Sequence, residues 1–164
     1  MEQLLAVDKP SFFTGDSGVG KSVIINNTLS LLSNKPEDKT MPININFSAQ
    51  TNSGRTQTSM LAKMDKMRNH FQPPPTASRI AIFIDDINMP SVEEYGAQPP
   101  IELLRLFLNA KGVFSREDWS WKEVRKATLV AGAAPPSGSR ANLTPRFTTH
   151  FNMFCLPPAN EQML

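Results

Sequence analysis

Ser11-Phe12-Phe13-Thr14-Gly15-Asp16-Ser17-Gly18-Val19-Gly20-Lys21-Ser22 joins a short apolar strand to a complete G-x-x-x-x-G-K-[ST] phosphate-binding loop, G-D-S-G-V-G-K-S at 15–22. Glycines at 15, 18 and 20 let the backbone curl until several N–H groups face one anion, and the helix that follows adds the positive end of its dipole. Lys21 is expected to reach the β- and γ-phosphates of a nucleotide, and the Ser22 hydroxyl to hold Mg2+. Asp16, Ser17 and Val19 complete the cradle. Residues 22–32 carry an apolar face at 24, 25, 28, 29 and 32, which predicts a helix ended by Asn34 and Pro36.

Working outward, the chain keeps alternating strand with helix. Residues 42–48, P-I-N-I-N-F-S, alternate apolar with polar and read as a second strand. Residues 51–68 have helical composition in their second half, where Met60, Leu61, Met64 and Met67 are expected to pack into a core. Residues 69–78 contain Pro73-Pro74-Pro75 and are expected to form an exposed connection, neither helix nor inner strand. The run Ile80-Ala81-Ile82-Phe83-Ile84 is continuously apolar, as in a strand covered on both faces of a parallel sheet, and it ends in Asp85-Asp86. A helix with proline near its start follows at 100–108, stopped by residues 109–112. The aromatic and charged residues between 113 and 124 predict a hairpin, residues 128–133 another buried strand, residues 145–150 a short helix, and residues 151–156 the last strand. Together they predict one α/β domain: a three-layer sandwich with a central parallel five-stranded sheet, helices on both faces and a β-hairpin insert.

Composition bounds the function classes. At 164 residues the chain is long enough to bury about 70% of its unfolded surface around a single core. A net charge of +2 without any block of Lys and Arg gives no footprint for nucleic acid. No apolar stretch approaches the roughly 18 residues of a membrane span, and the N-terminus has no signal-peptide pattern. The single cysteine, Cys155, cannot form an internal disulfide and is expected to pack as a small core side chain, so the chain reads as soluble and cytosolic.

A phosphate loop binds nucleotide, but hydrolysis also needs a metal partner and a group that orients water. Asp85, at the C-terminal end of a buried strand, is placed to hold Mg2+ as a Walker B aspartate does. Asp86 follows where P-loop ATPases of this layout usually carry a glutamate that polarises the attacking water, and it would do so one methylene shorter.

The stretches at 12–29, 45–57, 82–90 (I-F-I-D-D-I-N-M-P), 95–105 (Y-G-A-Q-P-P-I-E-L-L-R) and 144–151 (T-P-R-F-T-T-H-F) resemble the third AAA+ module of axonemal dynein heavy chains. The resemblance covers nearly the whole chain, and the D-D-I-N-M-P and Y-G-A-Q-P-P-I-E-L-L-R strings are more specific to it than the Walker motifs. It implies an AAA+ large αβ subdomain over residues 1–164 that ends before the helical lid, binds ATP with Mg2+, and couples nucleotide state to ring conformation in ciliary motility. It matches Gly15, Gly18, Gly20, Lys21 and Ser22 to Walker A and Asp85 and Asp86 to Walker B. Arg146, in T-P-R-F, matches the arginine such modules present to a nucleotide in the adjacent module, where a finger of this kind can be worth about 10^3 to 10^5 in rate. Implied partners are the neighbouring AAA+ modules and, through the full heavy chain, intermediate and light chains and microtubules of the axoneme.

The chain departs from the family pattern at the sensor I position, which is Ala134, whose methyl cannot hydrogen-bond a γ-phosphate or a water. That departure supports a second expectation, a module that holds ATP or ADP without significant turnover. An unrelated AAA+ remodelling ATPase would carry an aromatic pore loop after the second strand, and Ser48-Ala49-Gln50-Thr51-Asn52 offers none.

Overall fold

The computed structural model describes residues 1–35 and 39–158. Its first turn of chain is a short helix, α1 (Glu2–Ala6), leading into strand β1 (Ser11–Thr14), the phosphate loop, and α2 (Lys21–Ser33). Strand β2 (Thr40–Asn46) precedes α3 (Ser53–Leu61), two short strands β3 (Asp65–Lys66) and β4 (His70–Gln72), and the central strand β5 (Arg79–Asp85). Helix α4 (Pro99–Ala110), the hairpin strands β6 (Gly112–Phe114) and β7 (Trp121–Val124), β8 (Ala127–Ala133), α5 (Pro145–Thr148) and β9 (Asn152–Cys155) complete the order.

The main sheet has five strands, all parallel, in the order β2-β5-β8-β1-β9. Side chains alternate across it with the two-residue period of a strand, so one strand feeds two cores. Ile80, Ile82 and Ile84 of β5 join Phe12, Ile43, Leu104, Phe107 and Phe147 on the face covered by α3, α4 and α5. Ala81 and Phe83 of the same strand join Phe13, Ile25, Leu29 and Leu32 under α1 and α2. This is the three-layer sandwich expected from the continuous apolar runs. Among the described residues, no helix is long and apolar enough to cross a membrane.

Several boundaries differ from expectation, each for a local reason. Helix α3 occupies the first half of its segment, because the Asn52 side chain accepts a hydrogen bond from Arg55 N at 2.8 Å and caps the helix there. It ends before Met64; Met60 and Met64 are buried as expected, whereas Met67 is exposed. In α2 the buried face is Ile25, Leu29 and Leu32, with Ile24 half exposed. Asn34 follows the last turn of α2, and Pro36 lies outside the described residues.

The predicted hairpin is there, β6 antiparallel to β7 with Val113 opposite Lys122, but it belongs to a larger element. Residues 70–72, expected as an exposed connection, form β4, which pairs parallel with β7 and buries Phe71; with β3 they make a second, four-stranded sheet in the order β3-β4-β7-β6. Only the proline run from 73 onward stays outside it. At the tip of the hairpin, hydrogen bonds from Ser115 and Ser120 hold the Asp118 carboxyl well below the usual carboxylate range. Cys155 also departs from expectation: among the described residues β9 pairs with β1 alone, at the sheet edge, and the cysteine is exposed.

Candidate functional site

The strand order sets the geometry of the site. β8 lies between β5, which ends at Asp85, and β1, which feeds the phosphate loop, so the three strands present their C-terminal loops side by side. In an open parallel sheet this edge is where ligands bind. A cleft of about 270 Å³ opens there, lined by Ser17, Gly18, Gly20, Lys21, Ser22 and Val23 from the loop and α2, by Asp85 and Asp86 after β5, and by Ala134 and Arg140 after β8. Gly15, Asp16 and Val19 do not line the cleft and form the rest of the loop.

Gly20 caps α2 with φ 84°, a left-handed conformation that costs a side-chain-bearing residue dearly, and residues 20–23, whose amides are the ones a helix leaves free at its start, line the cleft. Lys21 is buried, and its ammonium donates to Gly15 O at 2.9 Å and Asp16 O at 2.7 Å, folding back over its own loop. Both acceptors are neutral carbonyls, so an anion entering the cradle competes for the lysine with a full charge. The Ser22 hydroxyl donates directly to the Asp85 carboxylate, which joins the phosphate loop to the acidic strand end. The second Asp85 oxygen accepts the Asp86 amide at 3.1 Å. A Cβ at Gly132 would stand 3.0 Å from that oxygen, so glycine on β8 leaves the carboxylate its room. The Ser22 and Asp85 oxygens are the hard donor set that suits Mg2+, which prefers one or two protein oxygens and keeps several waters.

Asp86 sits in the left-handed region at φ 49°, and its carboxylate lies 3.7 Å from Arg140 Nη2. Ala134 turns only a methyl toward the cleft, as its sequence position implied, while its carbonyl accepts from Asn88 Nδ2 at 2.9 Å. Arg146 is apart from this group: it is on α5, exposed, and not among the cleft residues.

Two residues of the site escaped the sequence reading. Arg140 closes the P-P-S-G-S-R stretch at 135–140, after β8; a basic residue just beyond a buried parallel strand is the signal the sequence offers. Asn88 sits in the D-D-I-N-M-P string, where polarity inside an apolar neighbourhood was the only hint. It is 2% exposed and ties the loop after β5 to the loop after β8, through its side chain to Ala134 O and through its backbone carbonyl to Ala141 N at 2.9 Å.

Comparison with known proteins finds a family match over nearly the whole chain. The family model of the P-loop containing dynein motor region matches residues 1–159. Dynein axonemal heavy chain 6 of Homo sapiens is 45% identical over 166 residues, taking in the whole of this chain and 4% of that protein. Dynein axonemal heavy chain 12 of Mus musculus is 40% identical over 164 residues, 5% of its length. The Dynein-1-alpha heavy chain of the flagellar inner arm I1 complex of Chlamydomonas reinhardtii is 38% identical over 167 residues, again 4% of its length. The chain therefore spans about a twentieth of the curated relatives it matches.

Proposed function

The chain belongs to the family of P-loop containing dynein motor regions, and on that premise we propose that it is the nucleotide-binding ATPase module, third in the ring, of an axonemal dynein motor. Residues 1–164 are its large αβ subdomain. The observation that carries this reading is the Ser22–Asp85 hydrogen bond, which brings the phosphate loop and the acidic strand end into one cleft.

In this reading the loop amides take the phosphates of ATP, and Lys21 leaves the Gly15 and Asp16 carbonyls for the β- and γ-phosphates. Ser22 and Asp85 would hold Mg2+, which when bound would neutralise charge developing on the phosphate oxygens. Asp86 accepts a hydrogen bond from the attacking water and holds it in line. Arg146, exposed on α5, is presented to the nucleotide of the adjacent module. Nucleotide state thereby shapes the ring, and through the full heavy chain the work reaches microtubules, with intermediate and light chains assembled on it, in the axoneme of a cilium.

Ala134 supports a second reading, a module that holds ATP or ADP without significant turnover, because no hydrogen bond to the γ-phosphate comes from the end of β8. Titration of the 164-residue chain with Mg-ATP, beside single-turnover hydrolysis, separates the two. Lys21→Ala is expected to weaken Mg-ATP binding about tenfold to a hundredfold, as befits about 1.5–3 kcal/mol for a hydrogen bond to a charged group. Cleavage that Asp86→Asn abolishes supports the ATPase; tight binding with no such cleavage selects the holding module. Absence of binding in the wild-type chain rejects both.

A further inference from the structure

Arg140 stands outside every stretch on which the family resemblance rests, yet it forms a wall of the phosphate cleft. Its position is built. The loop after β8 is tied at Ala134 and Ala141 by Asn88, and within it the Arg140 amide donates to Ser137 O at 3.0 Å, closing a turn. The side chain is half-buried, 26% exposed. Its donors are under-used: the Nε atom is buried and has no hydrogen-bond partner among the described residues, and the Asp86 carboxylate is 3.7 Å from Nη2. A planar cation with spare donors at the mouth of an anion cradle is short of an acceptor, and guanidinium matches phosphate oxygens in pairs.

Which phosphate it meets follows from its neighbours. Lys21, the residue that reaches the β- and γ-phosphates in a loop of this pattern, lines the same cleft as Arg140, and Arg140 lies beside Asp86, the acid assigned to the attacking water. We infer that Arg140 is the γ-phosphate contact of this chain, supplying from the loop after β8 what the Ala134 methyl cannot, and that it lets the site distinguish nucleoside triphosphate from diphosphate. The inference rests on the nucleotide reading above. It also gives Asp86 a partner to exchange: the γ-phosphate draws the guanidinium away, and the carboxylate is released to face water.

The test is calorimetric titration of the chain with Mg-ATP and with Mg-ADP in wild type, Arg140→Ala, Arg140→Lys and Lys21→Ala. Arg140→Ala is expected to lower ATP affinity tenfold or more while ADP affinity stays within twofold, and lysine, which keeps the charge without the fork, to recover part of the loss. Thermal melts without nucleotide accompany each variant, and Arg140→Gln, closer in volume, replaces alanine if that variant does not fold. Unchanged ATP affinity, or an equal loss for both nucleotides, overturns the inference, and the nucleotide reading survives it if Lys21→Ala still weakens Mg-ATP binding tenfold or more. A wild-type chain that binds neither nucleotide overturns both.

Discussion

Asn88 has no charge and no reactive atom, and its importance lies in where its one amide points. With Nδ2 on Ala134 O and its backbone carbonyl on Ala141 N, it holds the loop that carries Arg140 against the loop that carries Asp86. Asn88→Ala would leave the Ala134 carbonyl without that donor, and the cost of a buried unsatisfied group is about 1–3 kcal/mol. Urea unfolding is expected to show a loss of that size, and the preference for ATP over ADP to fall with it. A stability change within about 0.5 kcal/mol, the usual span for a surface substitution, would show that the clamp is idle. The charged residues of the cleft were legible because their spacing is itself the signal: Lys21 and Ser22 close a phosphate-loop pattern and Asp85 ends an apolar run. Asn88 and Arg140 have no such spacing. Their roles depend on which loops become neighbours, and that is set by strand order.

Elements follow a different logic. β5 and β8 could be read directly because strands covered on both faces must be apolar at every position, and residues 80–84 and 127–133 are buried throughout. The four-stranded sheet could not be read, since β3 and β4 are two and three residues long and β4, on which β3 pairs, is itself paired with β7, a partner distant in sequence. The same reason exposes Cys155: an apolar composition at 151–156 suits a core, but among the described residues β9 pairs with β1 alone, and its four residues are exposed. Helix α4 illustrates the opposite case, in which local pattern and tertiary place agree. Its Ile101, Leu104, Phe107 and Leu108 repeat at helical spacing and enter the larger core, with Leu104 wholly buried. Leu104→Ala is expected to cost about 2–5 kcal/mol in chemical denaturation, through lost burial and the cavity left behind. A loss under about 1 kcal/mol would mean that the α4 face of the sandwich repacks freely.

At the scale of the molecule, three loops from strands that are not consecutive in sequence meet at one edge of the sheet, and the order β2-β5-β8-β1-β9 is what brings them together. The fold class was accessible from alternating strands and helices; the order that places the loop after β8 at the middle of the cleft was not, because crossover connections leave no local mark. Behind the sheet, α3 connects this edge to the second sheet, where Gln57 Nε2 donates to Phe114 O at 2.6 Å and its carbonyl accepts Arg116 Nε at 3.0 Å. The chain's two tryptophans, Trp119 and Trp121, both belong to that second sheet, one at its loop and one on β7, and neither lines the phosphate cleft. Indole emission is therefore blind to ligand contact and responds only to what the hairpin feels. A shift in its wavelength when Mg-ATP is added would register a message relayed through the body of the protein, and a silent spectrum would mean that the hairpin and the cleft keep separate time.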